Sequence, residues 1–568
     1  MHVFEVWAPR AQALAVRIDG KDHPMQAAGG GWWKSCVENA GPGTGYSFVV
    51  DGGDPVPDPR SQYQPDGVHG PSRLIDRDAF QWTDANWQAR PLSSAIVYEL
   101  HVGTFTPGGT FESAIERLDY LRDLGVTHVQ LMPVNQFSGE RGWGYDGVDL
   151  FAPHRAYGAP DDLKRLVDAC HARGLAVLLD VVYNHLGPDG NYLERFGPYF
   201  TQAYKTPWGP AVNLDHKDSQ EVRRFFLDNA IQWLRDYHFD GLRLDAIHAY
   251  YDRSAVTFLE NLSTEIDELE ASLGRHLVLI AESDLNDPRV VTCRAAGGLG
   301  LDAQWSDDFH HALHSVLTGE TTGYYKDFGS LRHLAAALRE GYVYAGGHSP
   351  SRGRIHGRRA PDLSGHRLLG YAQNHDQAGN RATGDRLGHL VSPGRQKIAA
   401  ALVLTAPFVP MLFQGEEFGA SSPFQYFTDY RDERLGKSVS EGRRSEFSAF
   451  GWNPEQVPDP QDPLTFERSK LHWEETQSEL LAWYRKLIAF RRSQPSLTDG
   501  RLDRVEVTFD EPAGWLVMKR GPVEVACNFA QDWQAIPVTA KNVICSEPEW
   551  HLRPGLIELP SDSVAILF

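Results

Sequence analysis

Two carboxylates close strand-like runs, Asp245 in Gly241-Leu-Arg-Leu-Asp-Ala246 and Glu282 in Leu277-Val-Leu-Ile-Ala-Glu282, and a third follows in Asn374-His375-Asp376. Paired acid side chains are the equipment of glycosidic bond chemistry, where one carboxylate attacks or stabilises the sugar carbon and the other protonates the leaving oxygen. The two need opposite settings. Arg243 stands two residues before Asp245 and so on the same strand face, where its charge would hold that carboxylate ionised. The acid of such a pair must keep its proton near neutrality, and neighbouring negative carboxylates are a source for the raised pKa this needs.

Side chains at the carboxyl ends of parallel strands converge in a (β/α)8 barrel, and the chain predicts one. Strand-like runs at 95–105, 126–134, 175–183, 241–246, 276–281, 301–305, 367–373 and 409–413 make eight strands. The run at 175–183 is almost continuously apolar, as in a sheet buried on both faces. Helical periodicity lies between or after them at 111–124, 161–173, 220–237, 255–273, 309–317, 395–404 and 474–492, with Pro160 and Gly174 placed where helix ends tolerate them. Two long irregular segments, 134–161 with Trp143-Gly-Tyr145-Asp146 and 186–213, fall where barrel loops build clefts.

Before residue 90 the pattern is short β-branched or aromatic runs at 3–8, 13–18, 31–37 and 45–50, separated by Gly and Pro clusters, and 51–71 reads as an extended linker. Further runs at 505–509, 515–519, 523–528 and 564–568 predict a second small β-unit. The expected fold is α/β, a TIM barrel at 91–492 between an N-terminal β-sandwich at 1–90, of the carbohydrate-binding-module kind, and a C-terminal β-domain at 493–568. Trp32 and Trp33 are read as sandwich core ahead of sugar platforms.

Composition narrows the partners. A chain of 568 residues with 41% hydrophobic content has material for a large core, and a formal charge of -20 disfavours nucleic acid and anionic membranes, leaving a neutral or cationic ligand. Five scattered cysteines without a Cys-x-x-Cys pair read as reduced thiols, with Cys170 on an apolar helical stripe. No leader-like start and no membrane-length apolar run is seen, so a cytoplasmic location is expected. Nothing in the sequence sets an oligomeric state, and the two-carboxylate chemistry requires neither metal nor other cofactor.

Asp180-Val-Val-Tyr-Asn184-His185, Gly241-Leu-Arg243-Leu-Asp245, Ala281-Glu282 and Asn374-His375-Asp376 match, in order, four short motifs of the α-amylase family. That resemblance implies that Asp245 is the nucleophile, that Glu282 is the acid and then the base, and that Asp376 braces the hydroxyls of the sugar ring at the cleaved bond, subsite −1. It implies that His185 and His375 donate to the same ring, that Tyr145 stacks under it, and that Arg243 supports Asp245, with Trp143, Asn374 and Gln377 as further substrate contacts. Asn184 matches a calcium ligand of many relatives, but no loop of further carboxylates accompanies it, and a structural hydrogen bond is expected.

Less general stretches refine the resemblance. Trp7-Ala-Pro9 with the N-terminal β-unit, and Asp180 through Tyr192, are similar to a subgroup holding branching enzymes and maltooligosyltrehalose trehalohydrolases. Ala281-Glu-Ser-Asp-Leu-Asn-Asp-Pro-Arg289, Ala303 through His314, Tyr344-Ala-Gly-Gly-His-Ser349 and Glu441-Gly-Arg-Arg444 resemble the trehalohydrolases. The resemblance implies hydrolysis, with retention, of the α-1,4 bond next to the terminal trehalose unit of maltooligosyltrehalose. Trp208, His248, Tyr325 and Arg352 are candidates for the subsites beyond that bond. A branching transferase, a plain amylase or debranching enzyme, and an inactive carbohydrate-binding barrel are the alternatives.

Overall fold

A computed structural model describes residues 1–449 and 454–568. Eight parallel strands close a barrel in chain order: Val97–Leu100, His128–Leu131, Ala176–Val181, Gly241–Leu244, Val278–Ala281, Ala303–Trp305, Leu368–Gly370 and Val409–Phe413. Each falls within a run predicted from sequence. Their residues are buried on both faces, the inner face filled by Val97, Leu178, Ile280, Trp305, Tyr371 and Met411 and the outer face covered by helices. The first strand is shorter than predicted: Val102–Phe105 folds into a helical turn after Leu100.

Local capping sets where the surrounding helices begin. The run predicted from 255 starts at Phe258, because Thr257 and Glu260 form a reciprocal capping box, and it ends at Leu273 before Gly274 in the left-handed region. The helix expected from 474 starts at Glu479, where the Ser478 side chain accepts from Leu481 N. The helix predicted at 111–124 is two, Phe111–Ile115 and Leu118–Leu124, broken at Glu116 and Arg117.

The N-terminal strands pair in two small antiparallel sheets, joining His2–Trp7 to Trp32–Val37 and Leu14–Ile18 to Gly45–Val50. Trp33 donates its indole N–H to Ala8 O and Trp32 packs on the core. The segment 51–71 is not an extended linker. Val56 pairs with Phe48, Tyr46 donates to Asp58, and Ser61 and Gln64 are fully buried in a mutual hydrogen bond. Its Pro and Gly content rules out a regular ladder, and side chains satisfy the polar groups instead. Trp7 meets Tyr199 edge-on and Phe48 meets Phe196, so this unit buttresses the chain that leads into the hairpin Phe200–Thr206 and Gly209–Val212 at the barrel mouth.

C-terminal strands form a five-stranded and a three-stranded sheet. Arg520 fastens this unit to the barrel by donating to the carbonyls of Thr405 and Ala406, and donates to Leu497 O within the unit. No described helix is long and apolar enough to cross a membrane.

Candidate active site

The third, fourth and fifth barrel strands are neighbours, with Asp180 level with Arg243 and Leu244 level with Ala281. Backbone bonds from Asp245 N to Val181 O and from Glu282 N to Leu244 O, each 3.0 Å, carry the ladder one residue further and set both carboxylates at the mouth. One fully buried guanidinium collects an acid from the end of each of these three strands: Arg243 Nη1 lies 2.7 Å from Asp180 and 2.9 Å from Asp245, and Nη2 lies 2.7 Å from Glu282 Oε2. The Arg243 fork rests on the Trp305 ring at 4.1 Å. Surrounded by carboxylates, it is held well above its ordinary pKa and stays protonated.

Directly after Asp245, Ala246 adopts φ 39° and ψ 55°, a left-handed turn unusual for a residue with a Cβ. The turn aims Ala246 N–H at Glu282 Oε2, 2.8 Å away. One backbone donor and one guanidinium charge thus converge on one oxygen of Glu282. Burial raises the pKa of this carboxyl, Arg243 pulls it down, and Asp245 pushes it up. Neighbouring negative charge is therefore the smaller source of the raised value, and burial the larger, a correction to the sequence expectation.

Asn184 Nδ2 donates to Asp245 Oδ2 at 2.8 Å and its Oδ1 meets His185 Nδ1 at 2.6 Å, so this side chain serves as a bracket between two site residues. Burial lowers His185 to about 4 and keeps the ring neutral. Trp208, 47% exposed in the turn of the mouth hairpin, lies flat on it with centroids 4.5 Å apart. Tyr145 donates to Asp180 at 2.7 Å and lies 2.8 Å from His375 Nε2. Its approach requires Gly144, at φ 97°, where a Cβ would lie 2.2 Å from Pro133 O. Burial lifts Asp180 to about 7 against the pull of Arg243.

Asp376 is the second residue of the short helix His375–Gly379. Asn374 caps that helix, its Oδ1 accepting from Asp376 N and Gln377 N, while Gln377 Oε1 accepts from Asn374 N. The Asn374 side chain is therefore a cap, with its carbonyl turned to the backbone. Asn380 donates to Asp376 Oδ1 at 3.2 Å and accepts from Arg443 at 3.0 Å, which brings one arginine of Glu441-Gly-Arg-Arg444 behind the third carboxylate.

Two chambers meet at Glu282 and Asp376. The larger, about 610 Å³, is lined by Trp143, Tyr145, His185, Trp208, Asp245 and His375 among others. The smaller, about 270 Å³, is bounded by Asp284, Trp305, Asp307, His311, Tyr324 and Arg352, with Asn374 and Gln377 at its wall. His248, Glu282, Asp376 and Asn380 belong to both. Arg352 reaches Asp284 at 3.1 Å, and burial lifts Asp307 to about 8. Trp143 presents an edge, its indole N–H bound to Gln425 O at 3.0 Å and its ring stacked on Phe424.

Tyr325 is not in the cleft. Its ring is 6% exposed, stacked on His314, and its hydroxyl lies 3.0 Å from His310 Nε2, whereas Tyr324, 40% exposed, faces the smaller chamber. Both tyrosines lie in one 3-10 turn, Gly323–Asp327, whose orientation adjacent aromatic letters do not encode. Glu99, Asp284, Asp307, His311, Asn380 and Arg443 were not singled out from sequence. Of these, Asp284, Asp307, His311 and Arg443 lie in stretches that resemble the trehalohydrolases without having been named individually, and Glu99 carried a signal of another kind, a charge inside a buried strand run. Among the described residues no cluster of His, Cys, Asp and Glu is arranged to hold a metal ion.

This barrel, with acids at three strand ends around one arginine, defines a glycoside hydrolase of the α-amylase class. The model of the alpha amylase catalytic domain matches residues 71–207. The chain is 48% identical to the malto-oligosyltrehalose trehalohydrolase of Rhizobium sp. (strain M-11), over 99% of this chain and 97% of that one, and 52% identical to that of Arthrobacter ramosus, over 92% of each. A solved structure described as an alpha amylase from Salmonella typhimurium superposes with a TM-score of 0.92 at 41% identity, covering 100% of this chain and 97% of its own. The chain belongs to the malto-oligosyltrehalose trehalohydrolase family.

Proposed function

We propose that this protein hydrolyses, with retention, the α-1,4-glucosidic bond next to the terminal trehalose unit of maltooligosyltrehalose, releasing trehalose and a shortened maltooligosaccharide. The observation that carries this reading is the placement of Glu282 and Asp376 on the wall shared by the two chambers. The scissile bond lies there, with the maltooligosaccharyl part against Tyr145, His185 and Trp208 in the larger chamber and the trehalose end in the smaller. Neutral sugars suit these aromatic faces and hydrogen-bonding groups.

Asp245 attacks the anomeric carbon while Glu282, whose pKa burial raises, passes its proton to the leaving glycosidic oxygen. Glu282 as carboxylate then takes a proton from water, which displaces Asp245. Bridging of both carboxylates by one arginine fork supports the close spacing of retaining enzymes, about 5–5.5 Å, over the about 6.5–9.5 Å of inverting ones. Asp376 and the two histidines hold the ring hydroxyls, and Arg352, His248 and Tyr324 orient the trehalose end.

The test is to incubate purified protein separately with maltotriosyltrehalose, maltopentaose and amylose, then identify the products by chromatography and the first-formed anomer by NMR. Rapid trehalose release with slow attack on the other two substrates is expected. Comparable attack on maltopentaose, or new branches in amylose, would move the reading to a plain amylase or a branching transferase.

A further inference from the structure

Glu99 lies two residues beyond Val97 on the first barrel strand, so both side chains enter the barrel interior. It is fully buried, in a place where an unpartnered carboxylate is strongly unfavourable. Its ion partner is not an arginine or lysine but His375: Oε1 lies 2.7 Å from the ring Nδ1, and Oε2 accepts from the His375 backbone N at 3.0 Å. One carboxylate therefore fixes both the ring and the main chain of the residue immediately before Asp376.

On the other edge of that ring, Nε2 lies 2.8 Å from Tyr145 Oη and 3.6 Å from Asp376 Oδ1. A tyrosine hydroxyl has one proton to give. Asp180, ion-paired through both oxygens to Arg243 Nη1, receives it, so Tyr145 Oη is left to accept from Nε2. With Nδ1 donating to Glu99, both ring nitrogens carry hydrogen.

We infer that Glu99 is a positioning residue of the reaction, which holds His375 as an imidazolium from beneath, with its Nε2–H fixing Tyr145 Oη and its charge beside Asp376 where the sugar ring at the cleaved bond lies. This rests on the proposed placement of that ring against Tyr145 and His375. Further charged or titratable groups act on the imidazole. They are Glu99 and His101 from the first strand and the turn after it, Asp180, Arg243 and Glu282 from the next walls, and Asp376 from its own helix. Burial pulls the ring down, Glu99 and then Asp376 push it up, and the balance stands at about 9.

Glu99→Gln keeps the shape and an acceptor oxygen while removing the charge. We expect turnover of maltotriosyltrehalose to fall about 10²-fold at pH 7 with the thermal midpoint little changed, because a displaced donor rather than an unfolded protein is the cause. The ratio of variant to parent rates is expected to rise again as the pH falls, where solvent protonates the ring without Glu99. A rate within threefold of the parent, or a loss that is the same at every pH, would overturn the role. Independently of any substrate, the ¹⁵N resonances of His375 in the parent, assigned by their disappearance in His375→Gln, should report a doubly protonated ring at pH 7. A neutral ring there would refute the inference even if the Glu99 variant fails to fold. Failure of the parent to release trehalose, with the His375 signal as expected, would instead count against the proposed substrate.

Discussion

Replacing Glu282 by Gln separates the proposed acid from the proposed nucleophile. Ala246 N donates to Glu282 Oε2 at 2.8 Å and the Arg243 Nη2 cation lies 2.7 Å from the same oxygen, so the amide introduced by Glu282→Gln is forced into one orientation, carbonyl oxygen toward those two groups and NH₂ toward the cleft. The shape of the site is kept, and the group facing the glycosidic oxygen no longer has an acidic proton. General acid catalysis contributes about 10²–10⁴-fold, or roughly 3–5.5 kcal/mol of barrier, and kcat/KM on maltotriosyltrehalose should fall by that amount. Maltotriosyl fluoride tests the assignment, because fluoride departs without a proton. The variant should release a burst of one fluoride per active site near the parent rate and then stall, since Glu282 is also needed to activate water. Equal losses on both substrates, or trehalose release within about tenfold of the parent, would refute the reasoning.

Asp245→Asn removes the nucleophile itself and should abolish the fluoride burst as well as trehalose release, while calorimetry still detects substrate binding. A preserved burst would remove Asp245 from its role. Burial lifts Glu416 and Glu417 to about 7, well above their ordinary 4.5, so the stability they contribute is complete below about pH 4.5 and is lost as pH rises through 7. Tyr98 and Tyr120 donate to Glu417, a role Gln would preserve on its carbonyl side, and Glu417→Gln should flatten the fall in thermal midpoint across this window, worth on the order of 3 kcal/mol for one carboxyl. An unchanged slope would show that the carboxyl does not titrate there. Ala246→Gly should relieve about 1 kcal/mol of left-handed strain and raise the denaturant midpoint, with kcat kept within about threefold because the N–H to Glu282 remains. A lowered midpoint would place the value of Ala246 in its methyl contacts.

What could be read from sequence was whatever interrupts a pattern at a strand end. Asp245 after Leu244 and Glu282 after Ala281 break apolar runs at the point where strands of a parallel barrel reach their mouth, and all eight strands followed from the alternation of buried runs and amphipathic helices. Glu99 breaks a run in the same way, but its partner His375 stands 276 residues later, and a period-two pattern names a face without naming what crosses the barrel to meet it. Tyr324 and Tyr325 show the converse limit, since two adjacent identical letters in one turn took opposite environments. The segment 51–71 failed for a third reason: its turn-forming composition describes the backbone and is silent about Tyr46 meeting Asp58 or Ser61 meeting Gln64.

The setting of Glu282 is a property of the same kind. Arg243, the residue most readily named as its neighbour, favours the ionised form, and it is shared with Asp180 and Asp245 across three consecutive strands. Were pairwise charge decisive, one arginine at 2.7 Å would leave the acid ionised; the carboxyl is raised because exclusion of water outweighs the ion pair. The protonation state of the acid thus depends on how completely the loops enclose the two chambers and the Trp208 hairpin the larger of them. Opening that hairpin should weaken acid catalysis as well as the Trp208 contact to substrate, so a variant of the supporting Trp7 or Phe48 packing, far from Glu282, should lower the pH at which the alkaline limb of kcat begins. An unmoved limb in a folded Trp7→Leu protein would show that the enclosure of Glu282 does not rely on the N-terminal unit.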